Sequence, residues 1–401
     1  MDFYGYMRPN GKAGARNYVL LLPVNRSLNF IASNVERMTR NTRHFEIPAE
    51  TGRTEVDREV IARTLIGLMN NANVGGIVLL AVKSGAGSAY KNMCAERFEE
   101  EARKTGKPFR IVYLTNVGGS YNMLGETLRL TREVLLEVSD FRRENCPLSA
   151  LTLGVKCGTS DATSGIAGNP CVGAVFDQLI RAGGTAFFSE TTEIIGAEDL
   201  VAKRAVNESV AKKILSAAKH WEDKAKATGE DIRKINPIPA NIAAGISSLE
   251  EKSLGAIAKS GTSPIQDVLK YAEMPKGSGL YFVDSWMSSL SLPLCLTACG
   301  ATIMLYQMGG GKIAQHPMMP SINPTVVSPF LYLTGNAIAY SRAPDNFDFD
   351  ASPIMTEGAS IPEMGTKLLE HLSAIASGTM TKMETLNYAE QLELYMEGPV
   401  L

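Results

Sequence analysis

Histidine is scarce in this sequence. His44, His220, His316 and His371 are the only four in 401 residues, too few for a ligand set built on several imidazoles. The six cysteines, Cys94, Cys146, Cys157, Cys171, Cys295 and Cys299, form no CxxC pair. That spacing excludes the usual zinc and thioredoxin motifs and offers no disulfide framework, so a reducing, cytoplasmic setting is expected. Long apolar runs are also lacking: YVLLLPV (residues 18–24) and GGIVLLAV (residues 75–82) fall far short of the ~20 residues of a membrane span. Residues 1–9 are polar and aromatic rather than basic and then apolar, so no secretory leader is expected. Nor is there an excess of charge, since 40 Lys+Arg face 42 Asp+Glu for a formal −2. That balance argues against nucleic acid or an anionic membrane as a partner. Walker A and GxGxxG loops are absent as well, which leaves nucleotide binding and NAD-dependent dehydrogenation without their usual support.

Against these absences stand 36 glycines and a regular alternation of apolar runs with helical periods, the pattern of parallel α/β architecture. Strands are expected at residues 18–24, 75–82 and 109–115, with helices at 28–38, 58–69, 88–104 and 122–138. The order implies a doubly wound layer whose ligand-binding loops follow the strands, at residues 25–29, 83–88 and 115–120. A polar, proline-containing joint, RRENCPLS (residues 142–149), precedes a second unit with strands at 151–157 and 185–190 and a helix at 170–182. Residues 197–228 read as one charged helix with a solvated face. The expected fold class is α/β: a parallel-sheet, Rossmann-like N-terminal domain (1–145), a second α/β catalytic domain (146–240), and a less regular C-terminal region (241–401) packed with it.

Chemistry-bearing residues concentrate in KCGTSDATSGIAGNP (residues 156–170). This loop lies between a strand and a helix, where backbone N–H groups and hydroxyls cradle anions. A tight Asn/Gly connector would have the same composition. SETTEIIGAE (residues 189–198) places Glu190 and Glu193 near a strand end, suited either to helix capping or, beside the first loop, to a hard cation or general base. Asp284 closes a short apolar strand, and YQMGGGKIAQHPMMPSI (residues 306–322) joins three glycines to Lys312 and His316. A triglycine lets backbone approach a ligand closely, and an adjacent lysine suits a carboxylate or sulfonate.

KCGTSDATSGIAGNPCVG, SETTEIIGAE, ANIAAGISSLEEKSLGAI and GARNYVLLLP, in that family's order, resemble the altronate/galactarate dehydratase (UxaA) family. Within it the chain is most similar to the large subunit of sulfolactate sulfo-lyase. The resemblance implies a lyase acting on a sugar acid or another small hydroxy acid with a divalent metal, Fe2+ first and Mn2+ or Mg2+ as alternatives. It also implies a separately encoded small subunit of SAF type and a homo- or hetero-oligomer. Two stretches depart from the sugar-acid enzymes: EIPAETGRTE (residues 46–55) and LAVKSGAG (residues 80–87) carry neither His nor Cys. That departure argues against simple altronate or galactarate dehydration. The implied reaction removes the proton α to a carboxylate and expels a β substituent, water or sulfite, leaving a 2-keto acid. Such a step needs a fixed cation for ene-diolate charge and a positioned base. The residues assigned to it are Lys156, Cys157, Asp161 and Glu190 as catalytic and Cys157, Asp161, Glu190 and Glu193 as metal donors. Arg16, Asn17, Ser160, Ser164, Asn169, Asp284, Lys312 and His316 are assigned to the substrate. The rival class is a non-catalytic anion-binding or regulatory subunit that retains the fold.

Overall fold

A computed structural model describes residues 1–83, 90–311, 323–386 and 393–400. Strand β1 (Asp2–Met7) pairs antiparallel with β2 (Ala13–Gly14) and β7 (Glu144–Pro147), in the order β2-β1-β7. The polar joint is therefore itself a strand, which returns the chain to its own N-terminus before the second unit begins.

Between β2 and β7 lies a parallel four-stranded sheet of β3 (Tyr18–Pro23), β4 (Thr42–His44), β5 (Val74–Ala81) and β6 (Phe109–Tyr113), ordered β4-β3-β5-β6. Every residue of β5 is buried, because both faces are covered, and this produces its uninterrupted apolar run. Ile77 and Leu79 face a core that includes Leu65 and Leu68 of the helix Glu55–Asn70, while Val78 and Leu80 face Ile31, Val35 and Val134.

A second, seven-stranded sheet is assembled from β8 (Thr152–Gly158), β9 (Thr185–Phe188), β10 (Ile265–Leu269), β11 (Gly279–Val283), β12 (Ile303–Met308), β13 (Phe330–Thr334) and β14 (Phe349–Asp350). It is parallel throughout, in the order β10-β11-β9-β8-β12-β13-β14. The C-terminal region supplies five of these strands; β11 is the short apolar strand that Asp284 closes, while the region's Gly, Ser, Met and Pro content hides the other four in the sequence. One face, through Phe187, Tyr281, Met304 and Tyr332, shares a continuous core with the N-terminal sheet. The helix Ser291–Cys299, buried at all nine positions, lies in that core. The other face packs Leu153, Val155, Phe188 and Leu305 on Val172, Phe176 and Leu372. Each of these fully buried side chains contributes about 1.5–3 kcal/mol.

The order also places the site. Strand β8 has its sequence neighbour β9 on one side and β12 on the other, so the chain reverses its direction of winding there. Parallel sheets open a crevice for ligands at the carboxyl end of such a strand. Among the described residues, no helix is long and apolar enough to cross a membrane.

Candidate active site

Lys156 and Cys157 are the penultimate residues of β8, and Glu190 stands two residues beyond β9. Glu190 adopts a left-handed backbone with φ 72°, uncommon for a residue with a Cβ and costing of order 1 kcal/mol or more. The turn brings its fully buried carboxylate back over the end of β8. Oε1 accepts from Lys156 Nζ at 2.7 Å and Oε2 from the Cys157 backbone N–H at 3.1 Å. One short turn later Glu193 accepts from Cys157 Sγ at 2.9 Å.

Two further lysines complete the group. Lys259, 1% exposed in the turn Ala258–Ser260, hydrogen-bonds Glu190 Oε2 and lies 3.1 Å from Cys157 Sγ and 3.2 Å from Glu193 Oε2. Lys252, on the helix Leu249–Ile257, stands 3.6 Å from Glu193 Oε1 and donates to Asn236 Oδ1 at 2.7 Å. Three ammonium groups thus face two carboxylates in a sealed interior. Burial opposes the charge on Glu193, but Lys259, Lys252 and Lys156 overcome it and hold its carboxyl well below the usual range. Burial likewise works against the Lys156 ammonium, yet Glu190, Tyr306, Cys157 and Glu193 together outweigh it and the pKa rises. Lys156 is therefore held as a cation and is unsuited to take up a proton. Burial, reinforced by Glu190 and Glu193, pushes the Cys157 thiol well up.

Cys157, Glu190 and Glu193 offer one donor atom each, all within 4.8 Å of one another and all buried. One sulfur and two carboxylate oxygens at this spacing are compatible with a divalent metal. Asp161, expected among these donors, is not in the group. Its carboxylate accepts from Thr163 Oγ1 (2.6 Å), Ser164 N (3.2 Å), Gly310 N (2.7 Å) and Asn336 Nδ2 (2.9 Å). It thereby ties together the loops that follow β8, β12 and β13. The triglycine makes that junction possible: a Cβ on Gly310 would lie 2.0 Å from Asn336 Nδ2 and 2.5 Å from Asp161 Oδ2. The close approach expected there is made to the chain's own loop.

Ser160, Asp161, Ser164 and Asn169 line a cleft of about 270 Å3 together with Lys252. This volume is near the lower limit of ~300–1,000 Å3 typical of small-molecule sites. Lys252 is thus shared between the cleft and the buried centre. Asn169 is 1% exposed and donates to Gly255 O at 2.8 Å, but its Oδ1 has no partner among the described residues. Gln307, opposite Cys157 in the sheet and fully buried, has neither amide atom paired among the described residues. Orphaned buried polar atoms are rare and point to a ligand or water.

Elsewhere the expected substrate residues serve the scaffold. Arg16 forms a forked ion pair with Glu384 and donates to the carbonyls of Ile375 and Thr379. Asn17 joins Arg8 to the carbonyl of Val138. Asp284 braces the Glu190 turn, accepting from Thr191 Oγ1 at 2.7 Å and Trp221 Nε1 at 2.9 Å. Lys312 and His316 lie outside the described residues, as do residues 84–89 of the loop after β5. Lys252, Lys259 and Gln307 escaped the sequence reading. A signal for the lysines does exist: positions 252 and 259 are seven apart, two helical turns, on one face of an otherwise apolar stretch.

Comparison with known proteins identifies the family. The signature described as "D-galactarate/Altronate dehydratase, C-terminal" matches residues 148–399, and "D-galactarate dehydratase/Altronate hydrolase, second domain" matches residues 5–139. The (2R)-sulfolactate sulfo-lyase subunit beta of Chromohalobacter salexigens is 32% identical over 97% of this chain and 96% of its own length. Altronate dehydratase of Bacillus subtilis is 29% identical over 100% of this chain and 78% of itself. Galactarate dehydratase (L-threo-forming) of Escherichia coli is 29% identical over 99% and 77%. By matches that span both sheets, this chain belongs to the D-galactarate/altronate dehydratase family, whose named members are lyases.

Proposed function

We propose that this chain is the large subunit of a lyase that removes the α proton of a small hydroxy acid and expels a β substituent, giving an enol that becomes a 2-keto acid. The observation that carries this reading is the junction at Lys252. There a small cleft with an unpartnered buried acceptor, Asn169 Oδ1, meets a sealed cluster of lysines and glutamates at the crevice of a parallel sheet. The side chains divide the work. Lys156, held protonated beside Glu190, supplies a fixed positive field for the charge that develops on the substrate carboxylate. Lys252 is the ionisable group common to cleft and centre, and the α-proton transfer is placed on it. Asn169 Oδ1 accepts from the substrate hydroxyl, with Ser160 and Ser164 beside it. Asp161 holds the loop in which these groups stand.

Cys157, Glu190 and Glu193 are the residues that would hold a divalent metal, iron first given a sulfur donor with carboxylates, manganese or magnesium otherwise. Such an ion would polarise the substrate carboxylate. Sulfite is the leaving group to test first. The relative named a sulfo-lyase subunit is 32% identical to this chain, against 29% for the altronate dehydratase of Bacillus subtilis and the galactarate dehydratase of Escherichia coli. The word "subunit" in that relative's name supports a separately encoded small partner. All six cysteines are free, in keeping with the cytoplasm.

The test is co-expression with a small partner subunit and assay, with ferrous iron supplied, of sulfite and keto acid from sulfolactate and a hydroxy-acid panel. Both products from sulfolactate are expected. Keto acid without sulfite would select dehydration, and neither product from any substrate would overturn the lyase reading.

A further inference from the structure

The three atoms suited to a metal already surround a cation that belongs to the chain. Lys259 Nζ lies within hydrogen-bond reach of Cys157 Sγ, Glu190 Oε2 and Glu193 Oε2. An ammonium has three N–H donors and no acceptor, so these contacts satisfy it fully. The two outer oxygens are held by other cations: Lys156 sits on Glu190 Oε1 at 2.7 Å and Lys252 stands 3.6 Å from Glu193 Oε1. Both Oε2 atoms and the sulfur thus turn inward onto Lys259, which is 1% exposed.

A divalent ion bound to a thiolate and carboxylates sits about 2.0–2.3 Å from each. It would face the same three atoms as Nζ, with two further positive charges added to a centre that already holds three ammonium groups. On the reading that Cys157, Glu190 and Glu193 form the metal centre, we infer that Lys259 is the resident cation of that donor set. Its ammonium and a divalent metal are mutually exclusive occupants. With Lys259 in place the donors are neutralised and the site is complete. A metal enters only as the Lys259 side chain withdraws, so Lys259 sets how tightly the enzyme holds its ion. Lys259 is a positioning residue in this scheme, since it acts through the donors.

The test is metal binding, measured without substrate so that it stands apart from the lyase assay. Chelator-stripped wild-type protein and the Lys259→Met and Lys259→Gln variants are titrated with MnCl2 and with ZnCl2 by calorimetry, and their thermal midpoints are recorded with and without the ion. The expected result is affinity at least tenfold tighter in the variants than in the wild type, with a larger metal-induced rise in Tm. A variant that folds only when metal is present supports the inference equally. Folded variants that bind metal no more tightly than the wild type overturn it. A second measurement needs no variant: anomalous diffraction from wild-type crystals soaked in ZnCl2. Metal at the three donors with Lys259 withdrawn agrees with the inference. Metal there with Lys259 still bonded to both glutamates, or metal held only elsewhere in the molecule, overturns it.

Discussion

Lys156 Nζ lies 2.7 Å from Glu190 Oε1, an ion pair across the ends of β8 and β9 in which neither side chain exceeds 4% exposure. Removing one partner of such a pair strands a buried charge, which costs about 3–5 kcal/mol. Lys156→Met is therefore expected to lower unfolding free energy by that amount in urea and to reduce turnover about 100-fold or more, the loss typical of an electrostatic group at a reacting oxyanion. Glu190→Gln keeps the shape of the turn and tests the same pair from the other side. A loss under about 1 kcal/mol in both would mean that water reaches the pair.

Asn169 separates binding from folding. Its amide nitrogen serves Gly255 O, while its Oδ1 is unused. Asn169→Ala removes one hydrogen bond of the fold, worth about 0.5–1.5 kcal/mol. Loss of the acceptor is expected to cost more in kcat/KM, about tenfold to 100-fold, since an unpaired substrate hydroxyl must then be desolvated without compensation. A kcat/KM unchanged within about twofold would remove Asn169 from the substrate site.

The paired glutamate predicts the behaviour in acid. Against the cost of burial, Lys259, Lys252 and Lys156 hold the folded-state pKa of Glu193 at about 2, below the ordinary 4.5 of a glutamate. A group depressed in this way stabilises the fold fully above its unfolded pKa and progressively less as the pH falls toward the folded value. The stability difference between wild type and Glu193→Gln should therefore be constant from pH 7 to about pH 5 and shrink below about pH 4.5. A difference independent of pH from 7 down to 3 would show that Glu193 is not ionised in the folded protein.

Cysteine reactivity offers an independent reading of the same centre. Burial together with Glu190 and Glu193 raises the Cys157 thiol pKa, whereas Cys94 is half-buried and outside the centre. Thiolate is the reactive form. Iodoacetamide at neutral pH, followed by peptide mass spectrometry, is expected to modify Cys94 first and Cys157 only after unfolding. Early labelling of Cys157 would mean an open or thiolate-bearing site.

The parallel strands β3, β5, β8, β9 and β11 were legible because burial on both faces writes itself as a continuous apolar run, and the half-buried edge strand β6 by its FRIVY composition. Strands β1 and β7 were not, since they form an exposed meander with polar residues at alternate positions, as in the burial pattern of Asp2–Met7. The charged stretch at 197–228 is two helices, Glu198–Ala202 and Glu208–Ala227, and the second opens with the Asn207 side chain accepting from Val210 N. That cap was visible as NES before an apolar period. At the site, the KCGTSD and ETTE loops declared themselves by composition. Lys259 did not, because its partner Cys157 is 102 residues away and only the strand order brings them together. Asp161 looked like a ligand because an acid in a glycine-rich loop has two uses, and only the positions of Gly310 and Asn336 decide between them.

Those two uses of Asp161 predict different phenotypes. As a brace, its carboxylate accepts from Gly310 N and Asn336 Nδ2 through Oδ2 and from Thr163 and Ser164 through Oδ1. Asp161→Asn sets an NH2 group against donors on one of those sides, and each buried donor left unpaired costs about 1–3 kcal/mol. The expected outcome is a drop of that size in unfolding free energy, with affinity for Mn2+ within about threefold of the wild type. A metal ligand would behave in the opposite way, losing affinity by about tenfold to 100-fold while leaving the metal-free protein almost as stable as before. Measuring urea unfolding and metal titration on the same preparation decides between them, because the brace acts on the metal-free fold and the ligand does not.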